Sequence, residues 1–135
     1  MKYRILIVSA NYYTDISNNL LKDAKTTLKS KAKYQIINVP GVFEIPVIIA
    51  KNIKKYHGFI ALGCVIKGET PHFDFISTTT INAIMNLSIV HKKPIGNGIL
   101  TCLDKRQAKA RSGSFNKVGK GTEAAKAVLS VLNNS

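Results

Sequence analysis

Residues 58–72 read GFIALGCVIKGETPH. Positions 58–65 run apolar without the polar alternation of a half-exposed strand, the pattern of a parallel strand buried on both faces. The run ends in the polar turn Lys67-Gly68-Glu69-Thr70-Pro71, and a long segment from His72 to about Val90 follows. Pro71 is expected at the first helical position, where its missing N–H removes no helical bond. Strand, turn and helix in that order form half of a βαβ unit, and the rest of the chain repeats the theme.

Upstream, residues 4–10 (RILIVSA) form another short apolar run that stops at Asn11-Tyr12-Tyr13-Thr14-Asp15. From Ser17 a helical pattern places Ile16, Leu20, Leu21, Ala24 and Leu28 on one side, with Asp15 or Ser17 as the expected cap. Residues 34–39 (YQIINV) are a second strand, broken by Pro40-Gly41; residues 44–56 are too long for a strand and read as a helix with Pro46 in its first turn. Downstream, residues 94–102 (PIGNGILTC) read as a fourth strand, where Gly96 and Gly98 suggest a bulge or the close approach of a ligand. Residues 105–111 are a short helix, 112–121 a loop bearing glycine and lysine, and 122–132 an amphipathic helix through Ala125, Val128, Leu129 and Leu132.

Alternating strands and helices imply right-handed parallel crossovers. The expected fold is one α/β domain over residues 1–135, a flavodoxin-like three-layer sandwich whose four-stranded parallel sheet, ordered 2-1-3-4, is flanked by helices. No internal repeat or linker divides the 135 residues.

Composition narrows the function. With 45% hydrophobic and 20% charged residues the chain is neither disordered nor fibrous. No apolar run reaches the roughly 20 residues of a spanning helix, and Met1-Lys2-Tyr3-Arg4 leads into only a short apolar stretch, so a soluble cytoplasmic protein without a signal peptide is expected. Cys64 and Cys102 occur without a CxxC or Cys/His cluster, so reduced thiols and no metal site are expected. The net charge of +13 would attract polyanions. Many lysines, however, group at expected helix ends (Lys29, Lys31 and Lys33; Lys54 and Lys55; Lys92 and Lys93), and no nucleic-acid-binding motif accompanies them, so solvated surface is the preferred reading.

In an open parallel sheet, ligands bind beyond the carboxyl ends of the strands. Here those segments are residues 11–15, 41–44, 64–72 and 100–104. Two phosphate-loop near misses drop out: Glu69 stands where the lysine after Gly63-x4-Gly68 must be, and Ser114 replaces the early glycine before Gly119-Lys120-Gly121-Thr122. Gly68-Glu69-Thr70-Pro71-His72 still offers an anion the free N–H groups of a helix start. His72 is expected in that helix's first turn, where the dipole favours a neutral base. Phe43 and Glu44 end the second strand, and Tyr12 and Tyr13 follow the first, where either ring suits stacking on a planar ligand as well as ordinary packing. Arg111, one of three arginines, has a fork that suits phosphate or carboxylate.

Residues 39–46 (VPGVFEIP), 61–74 (ALGCVIKGETPHFD), 94–101 (PIGNGILT), and Arg111 followed by 120–125 (KGTEAA) together resemble the 6,7-dimethyl-8-ribityllumazine synthase family of riboflavin biosynthesis, in order from about Ala10 to Leu132. The resemblance implies a cofactor-free transferase that condenses 5-amino-6-(D-ribitylamino)uracil with 3,4-dihydroxy-2-butanone 4-phosphate, releasing phosphate and water. It implies that Tyr12 stacks on the pyrimidine, that Val42, Phe43 and Glu44 line the ribityl and ring site, and that Cys64, Val65 and Ile66 meet the uracil through backbone groups. Asn97 falls where some members carry a phenylalanine beside the ring. Glu69 and Thr70 would bind the butanone phosphate, His72 would move protons, Arg111 would hold the phosphate and Lys120 would support it. Also implied is a homopentamer whose sites are shared, with Tyr12, Glu44 and His72 from one subunit and Asn97, Arg111 and Lys120 from the next; a 60-subunit capsid is left open. Two other functions compete: a non-catalytic flavin- or nucleotide-binding module on the same sheet edge, and a basic RNA-binding protein. The preferred expectation involves neither nucleic acid nor membrane.

Overall fold

Every residue of β3 (Gly58–Ile66) is buried, and in β1 (Tyr3–Ala10) burial is complete from Ile5 onward. Both faces of these strands are covered, which explains their unbroken apolar sequence. The computed structural model describes residues 2–69, 71–113 and 119–134. Outside β1 and β3 lie β2 (Ala32–Val39) and β4 (Ile95–Cys102), giving a parallel sheet of order β2-β1-β3-β4, as expected.

Successive side chains of each strand point to opposite faces, so the sheet feeds two cores. On one face Ile5, Ile7, Ile60, Leu62 and Leu100 pack with Leu20, Ala24 and Leu28 of α1 (Thr14–Leu28) and with Ala124, Ala125 and Val128 of α5 (Lys120–Asn133). On the other, Leu6, Val8, Phe59, Ala61 and Ile99 pack with Ile45 and Ile49 of α2 (Ile45–Asn52) and with Ile84 of α3 (Phe73–His91). Each fully buried Ile, Leu or Phe contributes about 1.5–3 kcal/mol, so these two layers dominate the stability. Helix α4 (Lys105–Arg111) matches its expected bounds and is closed by a reciprocal cap. The Gln107 N–H donates to Asp104 Oδ1 at 2.8 Å while Gln107 Oε1 accepts from the Leu103 N–H at 2.7 Å.

Several local expectations are corrected. Neither Asp15 nor Ser17 caps α1, which begins after Tyr13 without a side-chain cap. The Ser17 hydroxyl donates instead to the buried Ala10 carbonyl at 2.7 Å and ties the helix to the end of β1. The helix expected over 44–56 is a 3-10 turn (Val42–Glu44) followed by α2, which ends at Asn52 with Pro46 in its first turn. Pro71 lies ahead of α3, and His72 is its N-cap rather than a first-turn residue. Lys120 and Gly121, expected in a loop, open α5; residues 114–118 of that loop lie outside the described residues.

Gly96 and Gly98 make neither a bulge nor a ligand approach. Register runs unbroken through both, pairing Gly96 with Ile60 and Gly98 with Leu62. The body that comes close is α5: a Cβ on Gly96 would stand 2.4 Å from the Ala124 carbonyl oxygen. Helix α5 is also fastened to β1, since the Tyr3 hydroxyl donates to the Leu132 carbonyl at 3.0 Å.

Most of the grouped lysines sit at helix ends, but Lys33 lies within β2. Lys29 follows α1, and Lys92 follows α3 in the left-handed region (φ 55°). Lys93 Nζ donates to the carbonyls of Ile53, at 2.7 Å, and Tyr56, at 2.9 Å, just past α2. Cations there meet the negative helix end.

Candidate active site

The chain runs from β1 outward to β2 and then returns to β3 on the other side of β1. The crevice between the carboxyl ends of β1 and β3 is therefore the point where strand order reverses, the favoured place for a ligand. A cleft of about 350 Å³ opens there. Its wall includes Tyr12 and Tyr13 after β1, Val42, Phe43 and Glu44 after β2, and Cys64, Val65, Ile66 and Glu69 at the end of β3 and in the following turn.

Local sequence explains this convergence. Pro40 and Gly41 end β2 so that the 3-10 turn folds over the sheet, where Val42 is buried while Phe43 remains exposed. The Glu44 carboxylate folds back on Gly41, where a Cβ would stand 3.2 Å from Oε1. Gly68 adopts φ 88° and turns the chain from β3 toward α3, a conformation that favours glycine. Tyr12 is 74% exposed, with its ring edge-on to that of Tyr13 at 4.9 Å between centroids.

Other expected site residues stand outside this wall. His72, exposed at the start of α3, lines an adjoining hollow of about 370 Å³ with Phe43, Phe75 and Ile76; Phe43 and Ile76 belong to both spaces. Asn97 lies on β4, with Oδ1 accepting from the Ile99 N–H at 3.0 Å. Arg111 ends α4 and donates to the Thr101 carbonyl at 3.3 Å, with Nη1 3.8 Å from Cys102 Sγ. Lys120 is half-buried at the start of α5, and Thr70 lies outside the described residues.

Burial pushes the Cys64 thiol up to about 12, helped by Cys102 and Glu69 and opposed by the Arg111 guanidinium. At neutral pH Cys64 is a thiol rather than a nucleophile. Burial likewise raises Cys102. Tyr13 rises well above the usual phenol range through burial and through the Glu69 carboxylate, to which its hydroxyl donates at 2.6 Å. Among the described residues no His, Cys, Asp and Glu cluster could hold a metal ion, and no helix is long and apolar enough to cross a membrane.

Charge within the cleft is one-sided. Among the described residues, Glu44 and Glu69 line it and no lysine or arginine does. A larger hollow of about 510 Å³ lies at the amino end of the sheet, against Arg4, Lys33, Gln35 and Tyr56. Three of its polar side chains are engaged: Arg4 donates to the Lys55 carbonyl beneath the Tyr56 ring, and the Tyr56 hydroxyl donates to Gln35.

Of the cleft-lining residues, sequence reasoning missed Ala10, the last residue of β1, and Ile76, in the first turn of α3, whereas Gly41 and Pro71 fall within the expected ligand segments 41–44 and 64–72. Tyr13 was expected to stack or to pack, and its bond to Glu69 was not foreseen.

The profile of the 6,7-dimethyl-8-ribityllumazine synthase family matches residues 2–135. Among curated relatives, the 6,7-dimethyl-8-ribityllumazine synthase of Bartonella henselae is 46% identical over 136 residues, covering 97% of this chain and 87% of its own. That of Agrobacterium fabrum is 43% identical over 139 residues (97% and 93%), and 6,7-dimethyl-8-ribityllumazine synthase 1 of Rhodopseudomonas palustris is 43% identical over 138 (95% and 85%).

Proposed function

The chain belongs to the 6,7-dimethyl-8-ribityllumazine synthase family, and from that premise we infer how its residues divide the work of the reaction. The protein is a transferase of riboflavin biosynthesis that condenses 5-amino-6-(D-ribitylamino)uracil with 3,4-dihydroxy-2-butanone 4-phosphate. The uracil's 5-amino nitrogen attacks the ketone, and loss of water gives an imine. Phosphate leaves, and the ribitylamino nitrogen closes the ring with loss of a second water. Incubating both substrates with the protein and following lumazine absorbance tests the activity; no product would defeat this reading.

Tyr12 stacks on the pyrimidine, Val42, Phe43 and Glu44 hold the ribityl chain and ring edge, and the backbone at Cys64, Val65 and Ile66 reads the uracil. Their shared presence on the cleft wall supports this division. The turn bearing Glu69 and Thr70 receives the butanone phosphate at the N-terminus of α3, where helix N–H groups favour an anion. His72, beside Phe43 at the cleft's edge, moves protons. A positioned acid/base contributes about 10² to 10⁴ in rate, and an amine beside an activated ketone reacts readily once juxtaposed. His72→Ala is therefore expected to lower kcat about 100-fold while activity persists; complete loss in a folded variant that still binds both substrates would contradict the role.

The phosphate needs positive charge, and among the described residues the cleft wall offers two carboxylates and no cation. That observation carries the shared site: Arg111 and Lys120 are supplied by a neighbouring subunit, with Asn97 beside the ring. Helix α3 supports the same assembly. In a chain with 20 Lys and Arg, residues 73–90 contain only one charge, Asp74, yet Phe75, Met85 and Ile89 are exposed along them. An uncharged exposed helix face suits burial against another copy. The assembly is a homopentameric ring, in which head-to-tail contacts repeat until they close. The adjacent free thiols of Cys64 and Cys102 suit a reducing, cytoplasmic setting. Arg111→Ala is expected to raise KM for the butanone phosphate about 10- to 150-fold, as a lost charge-assisted contact of about 1.5–3 kcal/mol implies. KM for the pyrimidine should hold within about twofold; equal rises would show that Arg111 does not serve the phosphate.

A further inference from the structure

A carboxylate is a poor ligand for phosphate, yet Glu69 sits in the turn that receives it. Its visible partner is Tyr13, whose hydroxyl donates to Oε2 at 2.6 Å across 56 positions of sequence. The bond spans the cleft mouth, from the segment after β1 to the turn after β3. The Tyr13 ring also stands edge-on, at 83°, against the otherwise exposed ring of Tyr12. One side chain thus touches both the expected stacking residue and the expected phosphate turn.

We infer that Tyr13 is a positioning residue for the condensation: its hydroxyl holds the Glu69 carboxylate and the turn in place for the butanone phosphate, and its ring orients Tyr12 for the pyrimidine. This rests on the substrate assignment made above. The two functions use different atoms of one residue, so substitution separates them. Donation engages Oε2 of the carboxylate in a charge-assisted bond. The raised Tyr13 phenol keeps the proton it donates.

Tyr13→Phe keeps the ring and deletes the donor. It is expected to raise KM for the butanone phosphate about tenfold, in the range for a partly exposed bond to a charged group, while KM for the pyrimidine stays within about twofold. Tyr13→Ala should raise both. On a Glu69→Ala background, Tyr13→Phe should add less than about twofold, because the bond is already gone. Additive effects in the double variant, or equal KM rises in Tyr13→Phe, would overturn the proposal. A second readout needs no turnover: with ¹³Cζ-labelled tyrosine, the signal lost in Tyr13→Phe should ionise at lower pH in Glu69→Ala than in wild type. An inactive wild type would defeat the substrate assignment, and the titration would then decide the clasp alone; an unchanged Tyr13 titration would refute it.

Discussion

Mixed rings assembled from a Tyr12→Ala/His72→Ala double variant and an Arg111→Ala variant are expected, at butanone phosphate well below the raised KM, to turn over faster than either parent. Under random equal mixing in a head-to-tail ring, an interface is intact when an Arg111 variant supplies the cleft and a double variant supplies the arginine, about a quarter of cases. The expectation comes from the electrostatics of the cleft, whose wall, among the described residues, carries Glu44 and Glu69 without a cation. Arg111 lies close enough to its own chain's Cys64 to favour the thiolate, so the experiment also asks whether it serves that chain instead. In that case every site of a mixed ring is impaired as in one parent or the other, and mixing restores nothing. Mass spectrometry of the mixed rings and turnover of the same sample check the outcome together.

The second large effect concerns folding. Gly96→Val is expected to cost more than about 3 kcal/mol, enough to leave much of the protein unfolded under mild conditions. Its Cβ would meet the Ala124 carbonyl oxygen at 2.4 Å and Val128 Cγ2 at 2.9 Å, so α5 must lift from β4. Backbone on one side and a buried strand on the other leave little room for adjustment. Gly68→Ala is the useful comparison. Among the described residues, nothing beyond its chain neighbours would lie within 4 Å of an added Cβ there, so its φ of 88° sets a cost of about 1–2 kcal/mol. Urea denaturation of both variants measures the difference; equal losses would show that α5 is not seated so tightly.

These glycines also show where the sequence became hard to read. A missing side chain announces that something comes close without saying what, and at Gly96 it is a helix backbone rather than a ligand. The strands were legible because β1 and β3 are buried on both faces and leave continuous apolar runs, and their order followed from alternating helices. Helix starts were less so. Ser17 looked like a cap, but its hydroxyl had a better acceptor at Ala10 in the preceding strand. The cleft wall was legible from strand ends and family motifs, which brought Tyr12, Phe43, Glu44 and Cys64 together. The pairing of Tyr13 with Glu69 was not, because no local pattern links residues 56 positions apart.

The bond from Tyr3 to Leu132 spans 129 positions, and α5 shares with α1 the cover of the face that includes Ile5, Ile7, Ile60, Leu62 and Leu100. Helix α1 is made early, and the part of that face under α5 is roofed last. Closing so long a loop costs only about 0.6 kcal/mol more for each doubling of its length, so the contact is cheap in equilibrium but slow to find. A nascent chain therefore carries one layer that is only half covered, by α1, until α5 has left the ribosome. During that interval the uncovered part of the face is what a chaperone would cover, and what a second nascent chain would stick to.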